Sequence, residues 1–249
     1  MTAAIRLWIL VLTTVPTLSL AEGVDWLIAP YGWLPDISLD QSSDDGSGGG
    51  GISGSDLLSK TESAGMLRFE VARNRWGLTF DYIFLSLADQ TTFSARPPLN
   101  VSIDIDGELD LDVIELGAFY RPTGEVAGVN YLLGLRQIGS DKVIRATPSV
   151  GQLQVIESDA TVTDVFLGAR YVHRVGDRWN FNVRGDYSFG DSEGTLNLLA
   201  SIGLRVAGPF SLQLGYRHAV IEFEDELNGV PETTEISLSG PYLGFVFRF

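Results

Sequence analysis

The 249-residue chain contains no cysteine. That excludes a disulfide framework, thiolate chemistry and any cysteine-ligated metal. Histidine is nearly absent too: His173 and His218 are the only two, and they are not spaced as a metal-binding pair. Lysine occurs only at Lys60 and Lys142, so almost all of the 17 basic residues are arginine. The formal net charge is −15. So acidic a chain lacks the basic patches that nucleic-acid binding needs. The preference for arginine suits buried ion pairs, where a planar fork holds a carboxylate through two hydrogen bonds. Hydrophobic residues make up 45% of the chain, but no long apolar run follows the N-terminus. A spanning helix, which takes about 20 apolar residues, is therefore excluded.

The N-terminus reads as a processing signal. Arg6 supplies the positive charge, Leu7 to Val15 form a short apolar core, and Ser19 and Ala21 place small residues before Glu22. This predicts a secretory signal peptide over residues 1–21, leaving 22–249 as the mature chain.

What the mature chain does have is period-two alternation, the signature of strands with unlike faces. In Gly240 to Phe249, Leu243, Phe245, Phe247 and Phe249 share one face, with Tyr242, Gly244, Val246 and Arg248 on the other. The same pattern recurs in Trp179 to Phe189, Leu196 to Val206, Phe210 to Tyr216, Thr161 to Val175 and Trp76 to Phe84. Pro30 and Pro35 interrupt the first aromatic stretch and predict bulges. In Val101 to Arg121 the apolar set changes phase near Ile114, which also predicts a bulge. Long polar segments (40–59, 89–100, 146–158, 225–233) mostly alternate with short turns (74–75, 176–177, 207–209). The first long segment, rich in Gly, Ser and acid, reads as a flexible external loop.

These features predict an all-β fold: an antiparallel, up-and-down transmembrane β-barrel of about ten strands, within a range of about eight to twelve. Loop asymmetry, aromatic residues near both strand ends and strands of about 9–11 residues fit a tilted crossing of lipid. The alternative is a soluble periplasmic barrel or sandwich, whose apolar face would point to a core. An even strand count leaves both termini periplasmic. Gly240 to Phe249, above all Tyr242, Leu243, Phe245, Phe247 and Phe249, reads as the barrel-closing and sorting strand.

Several stretches also carry a resemblance. Trp26, Tyr31, Trp33 and Pro35 (W-x4-Y-x-W-x-P), Phe69 to Leu78, Asp177 to Asn180, Leu214 to Arg217 and Gly240 to Phe249 together resemble an uncharacterised family of proteobacterial outer-membrane β-barrel proteins. The resemblance covers nearly all of the mature chain. It implies the fold and a Gram-negative outer-membrane location, and it brings no catalytic residues with it. The aromatic stretch that follows the mid-chain Gly-Leu-Arg in the family is reduced here to Gly134, Leu135, Arg136 and Gln137.

The candidate site is the lumen. Arg68, Glu70, Asp81, Glu115, Arg136, Asp164, Arg170, Arg184, Asp186, Arg205 and Arg217 occupy the polar face. They read as a structural network of arginine–carboxylate pairs, or as the charged wall of a narrow, porin-like path for small solutes. The row Asp104, Asp106, Glu108, Asp110 and Asp112 reads as a solvated acidic rim, with calcium binding as the alternative. His173 reads as an interfacial residue. His218 has Ser239 across from it and Glu222 farther out, so an acyl hydrolase acting on outer-leaflet lipid (lipid A) is the alternative function. Phosphate loops, spaced metal ligands and nucleophile elbows are absent. The expectation is a non-enzymatic, monomeric surface protein without catalytic residues, metal or cofactor. Its partners are outer-membrane lipid and lipopolysaccharide, and the outer-membrane assembly machinery during insertion.

Overall fold

The computed structural model describes residues 23–43, 46–94, 102–148, 154–227 and 230–249. The expected signal peptide, residues 1–21, lies outside the described residues. The strands are β1 (Val24–Trp33), β2 (Asp36–Ser43), β3 (Gly46–Ile52), β4 (Thr61–Arg73), β5 (Trp76–Ser94), β6 (Ser102–Tyr120), β7 (Gly128–Pro148), β8 (Gln154–Val175), β9 (Trp179–Gly190), β10 (Gly194–Ala207), β11 (Phe210–Leu227) and β12 (Val230–Arg248). One short helix, α1 (Gly54–Lys60), precedes β4.

Ten of these strands close into an antiparallel barrel. The order runs β1-β4-β5-β6-β7-β8-β9-β10-β11-β12, and β12 returns to β1. Closure leaves the ten-strand ring without an unpaired edge, which a sheet in lipid cannot carry. The seam is tied at its end by reciprocal bonds: Trp26 N donates to Phe249 O at 3.0 Å, and Phe249 N donates to Trp26 O at 2.9 Å. β12 thus pairs with both β1 and β11. Short turns join β4–β5, β8–β9 and β10–β11 at this end of the barrel. In the first, Asn74 takes the left-handed conformation (φ 56) that asparagine tolerates.

The expected bulges do not form. β1 meets β12 at Trp33↔Tyr242 and β2 resumes at Asp36↔Ser239 without losing register. Leu34 N bridges the gap to Pro241 O at 3.1 Å. Pro35 therefore interrupts the strand without displacing it. What changes there is the neighbour: β1 pairs with β4, whereas β2 pairs with β3. Among the described residues no ladder joins β3 to β4, and α1 connects these two strands across the interruption.

β6 is also unbroken. It pairs residue for residue with β5 from Trp76↔Tyr120 to Ser94↔Ser102, and with β7 from Ile103↔Pro148 to Tyr120↔Tyr131. The phase change in its sequence is a change of surroundings. From Glu115 toward the short turns the inward face carries Glu115, Gly117 and Phe119, with charged side chains of neighbouring strands among them, and Leu116 and Tyr120 point out. Above it, Val113, Leu111 and Leu109 point in while Asp112, Asp110 and Glu108 point out. Neighbouring strands do the same: Ile83, Leu85 and Leu87 on β5, and Ile236 and Leu238 on β12, continue the inward face. The wall is that of a membrane barrel at the short-turn end and that of a water-soluble barrel at the other.

This inversion explains why the described parts of the long polar segments are mostly strands and not loops. β5 and β6 have 19 residues each, β7 has 21 and β8 has 22, well beyond the ~9–11 needed to cross a bilayer. Once clear of lipid, the hairpin arms go on pairing. Segment 40–59, expected to be flexible, instead contains the end of β2, all of β3 and most of α1. Ser53 caps α1 by accepting from Asp56 N at 3.2 Å. Leu57 turns inward and is only 2% exposed.

Candidate functional site: the charged lumen

At mid-barrel four charged side chains form a closed ring. Arg136 donates to Glu115 Oε1 through Nε (2.9 Å) and Nη2 (2.7 Å), and its Nη2 also reaches Asp186 Oδ1 at 2.5 Å. Arg184 donates to Glu115 Oε2 at 2.8 Å and to Asp186 Oδ2 at 2.7 Å. Each arginine touches both carboxylates, so the ring is neutral and every member is bound twice. All four side chains are buried. Strand geometry places them: Glu115 and Arg136 are direct partners across β6 and β7, while Arg184 and Asp186 alternate along β9.

The ring is extended on both sides. Asn197 donates to Asp186 at 2.8 Å, and Arg217 Nε donates to Asn197 at 2.8 Å. Arg136 also donates to Ser188 at 3.2 Å, and Ser188 and Ser192 donate to Asp164 at 2.9 and 2.6 Å. A second group holds Arg68 on Asp81 (2.8 and 2.6 Å), with Tyr31 donating to the same carboxylate at 2.7 Å. A third, Arg170 on Glu70, joins β8 to β4 through a two-pronged contact. Ten of the eleven predicted lumen residues are therefore buried and bonded. The exception is Arg205, which is exposed at the short-turn end and makes no ion pair among the described residues.

Aromatic side chains underlie the charges. The Phe166 ring, 0% exposed, lies 5.3 Å from the Arg136 guanidinium and 5.6 Å from that of Arg184. Phe119 takes Arg121 at 4.8 Å and Arg170 at 5.3 Å, and Trp33 takes Arg217 at 4.6 Å. Farther along the lumen Tyr31, Leu199 and Tyr242 form an apolar cluster, with Met66 and Ile83 against it.

The outer wall is the reverse. Leu78, Leu133, Leu135, Leu167, Val183, Leu198, Leu214 and Leu243 are exposed around the belt. Trp76, Tyr131, Tyr171, Trp179 and Phe249 ring the short-turn end, with Tyr187, Phe189 and Tyr216 toward the other. A closed wall that hides its charges and exposes its largest apolar side chains between two aromatic rims is built for lipid. The fold is that of an outer-membrane β-barrel.

No family model and no curated protein matches the sequence. Among solved structures, this barrel is similar to the outer membrane protease OmpT of Escherichia coli, with 9% identity, a TM-score of 0.46, and coverage of 92% of this chain and 97% of that one. It is also similar to the translocator domain of the autotransporter NalP of Neisseria meningitidis, with 11% identity, a TM-score of 0.41, and coverage of 92% and 89%. Neisserial surface protein A is a third, with 15% identity, a TM-score of 0.27, and coverage of 92% and 100%.

On the barrel's outside, His218 and Ser239 are direct partners across β11 and β12, and Nδ1 and Oγ lie 2.6 Å apart. Glu222 is four residues along β11, about 13 Å away at roughly 3.3 Å per residue. Asp36 follows Ser239 in the same cross-strand row, on the side away from His218, and its Oδ1 accepts from Gly54 N at 2.5 Å. Among the described residues the pair therefore has a base and a hydroxyl but no carboxylate on the imidazole. His173 stacks on Tyr171 at 6.3 Å in the aromatic rim. In the acidic row, Glu108 binds Arg145 at 2.7 Å, and no cluster of three or more potential metal ligands occurs among the described residues.

Sequence reasoning passed over Phe166, Asn197, Ser188 and Tyr31. For Phe166 the available signal was an aromatic residue on the polar face between Asp164 and Arg170. Its counterpart is a glycine pair, Gly117 and Gly134, on which the ring lies.

Proposed function

We propose that this barrel is an integral outer-membrane protein with a non-enzymatic, structural and surface role. In this reading the short turns and both chain termini face the periplasm. The extended β5–β6 and β7–β8 hairpins stand outside the cell and present acid to lipopolysaccharide and to the medium. The barrel acts as a monomer and meets the assembly machinery during insertion. The observation that carries the reading is the Glu115–Arg136–Asp186–Arg184 ring. Paired charges span the lumen, and an apolar layer follows them, which favours a closed barrel. Passage of small solutes would need the ring to part. Purified protein in planar lipid bilayers tests this: the expected result is no step conductance, and a steady conductance in the unaltered protein would replace this reading with a porin-like one.

One observation favours a second reading. The 2.6 Å contact between His218 and Ser239, on the outer wall near the upper aromatic rim, joins a base to a nucleophile at the height of outer-leaflet acyl chains. Lipid A acyl hydrolysis is the reaction it would support. Mass spectra of lipid A from cells carrying His218→Ala or Ser239→Ala decide it: a pattern unchanged from cells carrying the unaltered protein removes the reading.

A further inference from the structure

The short-turn end of the lumen opens into a cavity of about 260 Å³. Its wall carries six arginines and only two acids, in a chain whose net charge is −15. Glu70 is already engaged by Arg170, and Asp177 belongs to the exposed turn between β8 and β9. Arg205 and Arg248 line the same cavity and make no ion pair among the described residues. Arg248 and Glu70 flank Leu27 in one cross-strand row, on β12 and β4 respectively. Their backbones are thus about 10 Å apart across the sheet, and among the described residues no hydrogen bond or ion pair joins the two side chains.

Two further groups mark the cavity as unfinished. Arg170 Nε and Asn182 Oδ1 are buried without a hydrogen-bond partner. Both residues line the cavity, and they are only 9% and 6% exposed. Buried polar atoms are almost always satisfied, and one of these is a donor and the other an acceptor. Both atoms are closed off as the side chains stand, so a ligand that reached them on small side-chain turns would have to accept from one and donate to the other. An oxyanion accepts from guanidinium groups in charge-assisted, two-pronged geometry, and a neighbouring hydroxyl donates to an amide oxygen. The volume, small by the standard of ligand pockets of roughly 300–1,000 Å³, limits the ligand to a few carbons.

We infer that this vestibule is a binding site for a small hydroxylated oxyanion, a hydroxycarboxylate or a polyol phosphate. The oxyanion lies between Arg170 and Arg248, and a hydroxyl lies on Asn182. The inference does not depend on whether the ring above is closed, because the cavity lies on the short-turn side of it.

The test is isothermal titration of the full barrel in neutral detergent at low salt, with lactate and glycerol 3-phosphate as probes and acetate and inorganic phosphate as plain-anion controls. The expected result is saturable binding of at least one hydroxylated probe, about tenfold tighter than its plain control and weakened by added salt. The phosphate and carboxylate arms show which oxyanion is preferred. Arg248→Ala is expected to lower that affinity about tenfold or more, with Arg205→Ala as a second variant. Both keep the heat-modifiable gel mobility of the folded barrel, because neither removes an ion pair. The inference is overturned by no binding of either hydroxylated probe to folded protein, by equal binding of probes and controls, or by binding that both arginine variants leave unchanged.

Discussion

Asp112 and Glu115 stand three residues apart on one unbroken strand and point to opposite sides of the barrel wall. Glu115 is buried against two arginines in the lumen. Asp112 lies outside, over Gly139 of the paired strand. The backbone does nothing unusual between them. The medium beyond the wall changes from lipid to water, and the sequence follows it by exchanging the polarity of its two faces.

That boundary predicts opposite responses to the same substitution on one face of β6. Leu116→Arg puts a charge into the lipid belt and is expected to lower stability by about 2–4 kcal/mol if Leu116 lies near mid-bilayer. Asp110→Arg, six residues along the same face, is expected to change it by no more than about 0.5 kcal/mol. Reversible urea unfolding of vesicle-inserted protein measures both. Equal costs at the two positions would move the membrane boundary off Asp112.

The central ring predicts a large and non-additive loss. Arg184→Ala leaves two buried carboxylates sharing Arg136, and removing one partner of a buried pair costs about 3–5 kcal/mol. Adding Asp186→Ala restores neutrality, because Glu115 and Arg136 still pair at 2.7 Å. The double variant is therefore expected to be less destabilised than the sum of the two single variants by about 0.5–3 kcal/mol. Additive losses in the same unfolding measurement would show that the four side chains do not act as a ring.

Strand positions, closure and ten of the lumen charges were legible because period-two alternation needs only the sequence. The phase change on β6 was legible as well, but its cause was not. A bulge and a change of solvent produce the same shift in pattern, and only the unbroken pairing with β5 and β7 separates them. Segment 40–59 was misread for a related reason. Strand signals rest on apolar alternation, and β3 is mostly glycine and serine, held by backbone bonds to β2. The partners of each charge were hidden too, because Arg170 meets Glu70 a hundred positions away. The inward aromatics escaped because they fall on the face expected to be polar.

Phe166 and Gly134 give the third prediction. A Cβ on Gly134 would come within 2.6 Å of Gly117 Cα and 2.7 Å of Phe166 Cε1. The first contact is backbone and cannot swing away. Gly134→Val is therefore expected to cost about 1–3 kcal/mol through overpacking, and to shift the ring on which Arg136 and Arg184 rest. The same substitution at Gly48, where nothing lies within 4 Å, is the control. Unfolding midpoints that fall equally in both variants would deny the ring–glycine contact any structural weight.

The last prediction concerns the helix at the end of the barrel away from the short turns. Lys60, the final residue of α1, holds Asp89 of β5 at 2.6 Å. This hydrogen bond keeps the Asp89 carboxyl below its ordinary value. A carboxylate whose value is depressed on folding adds stability that is fully present above its unfolded value, about 3.9. That stability is lost as the pH falls through the lower folded value. Between pH 7 and 5 the tether should stay intact, and it should release only as the pH falls through the depressed folded value, which lies below about 3.9. Both groups are exposed, so salt screens the pair and the global unfolding midpoint should barely move. What should change is local: amide exchange in Leu57 to Lys60 is expected to speed up as the pH falls through that depressed value, after correction for the intrinsic pH dependence of exchange. Lys60→Met is expected to produce the same local opening at pH 7. Protection in α1 that is indifferent to both changes would mean that the helix is held by Leu57 and its cap alone.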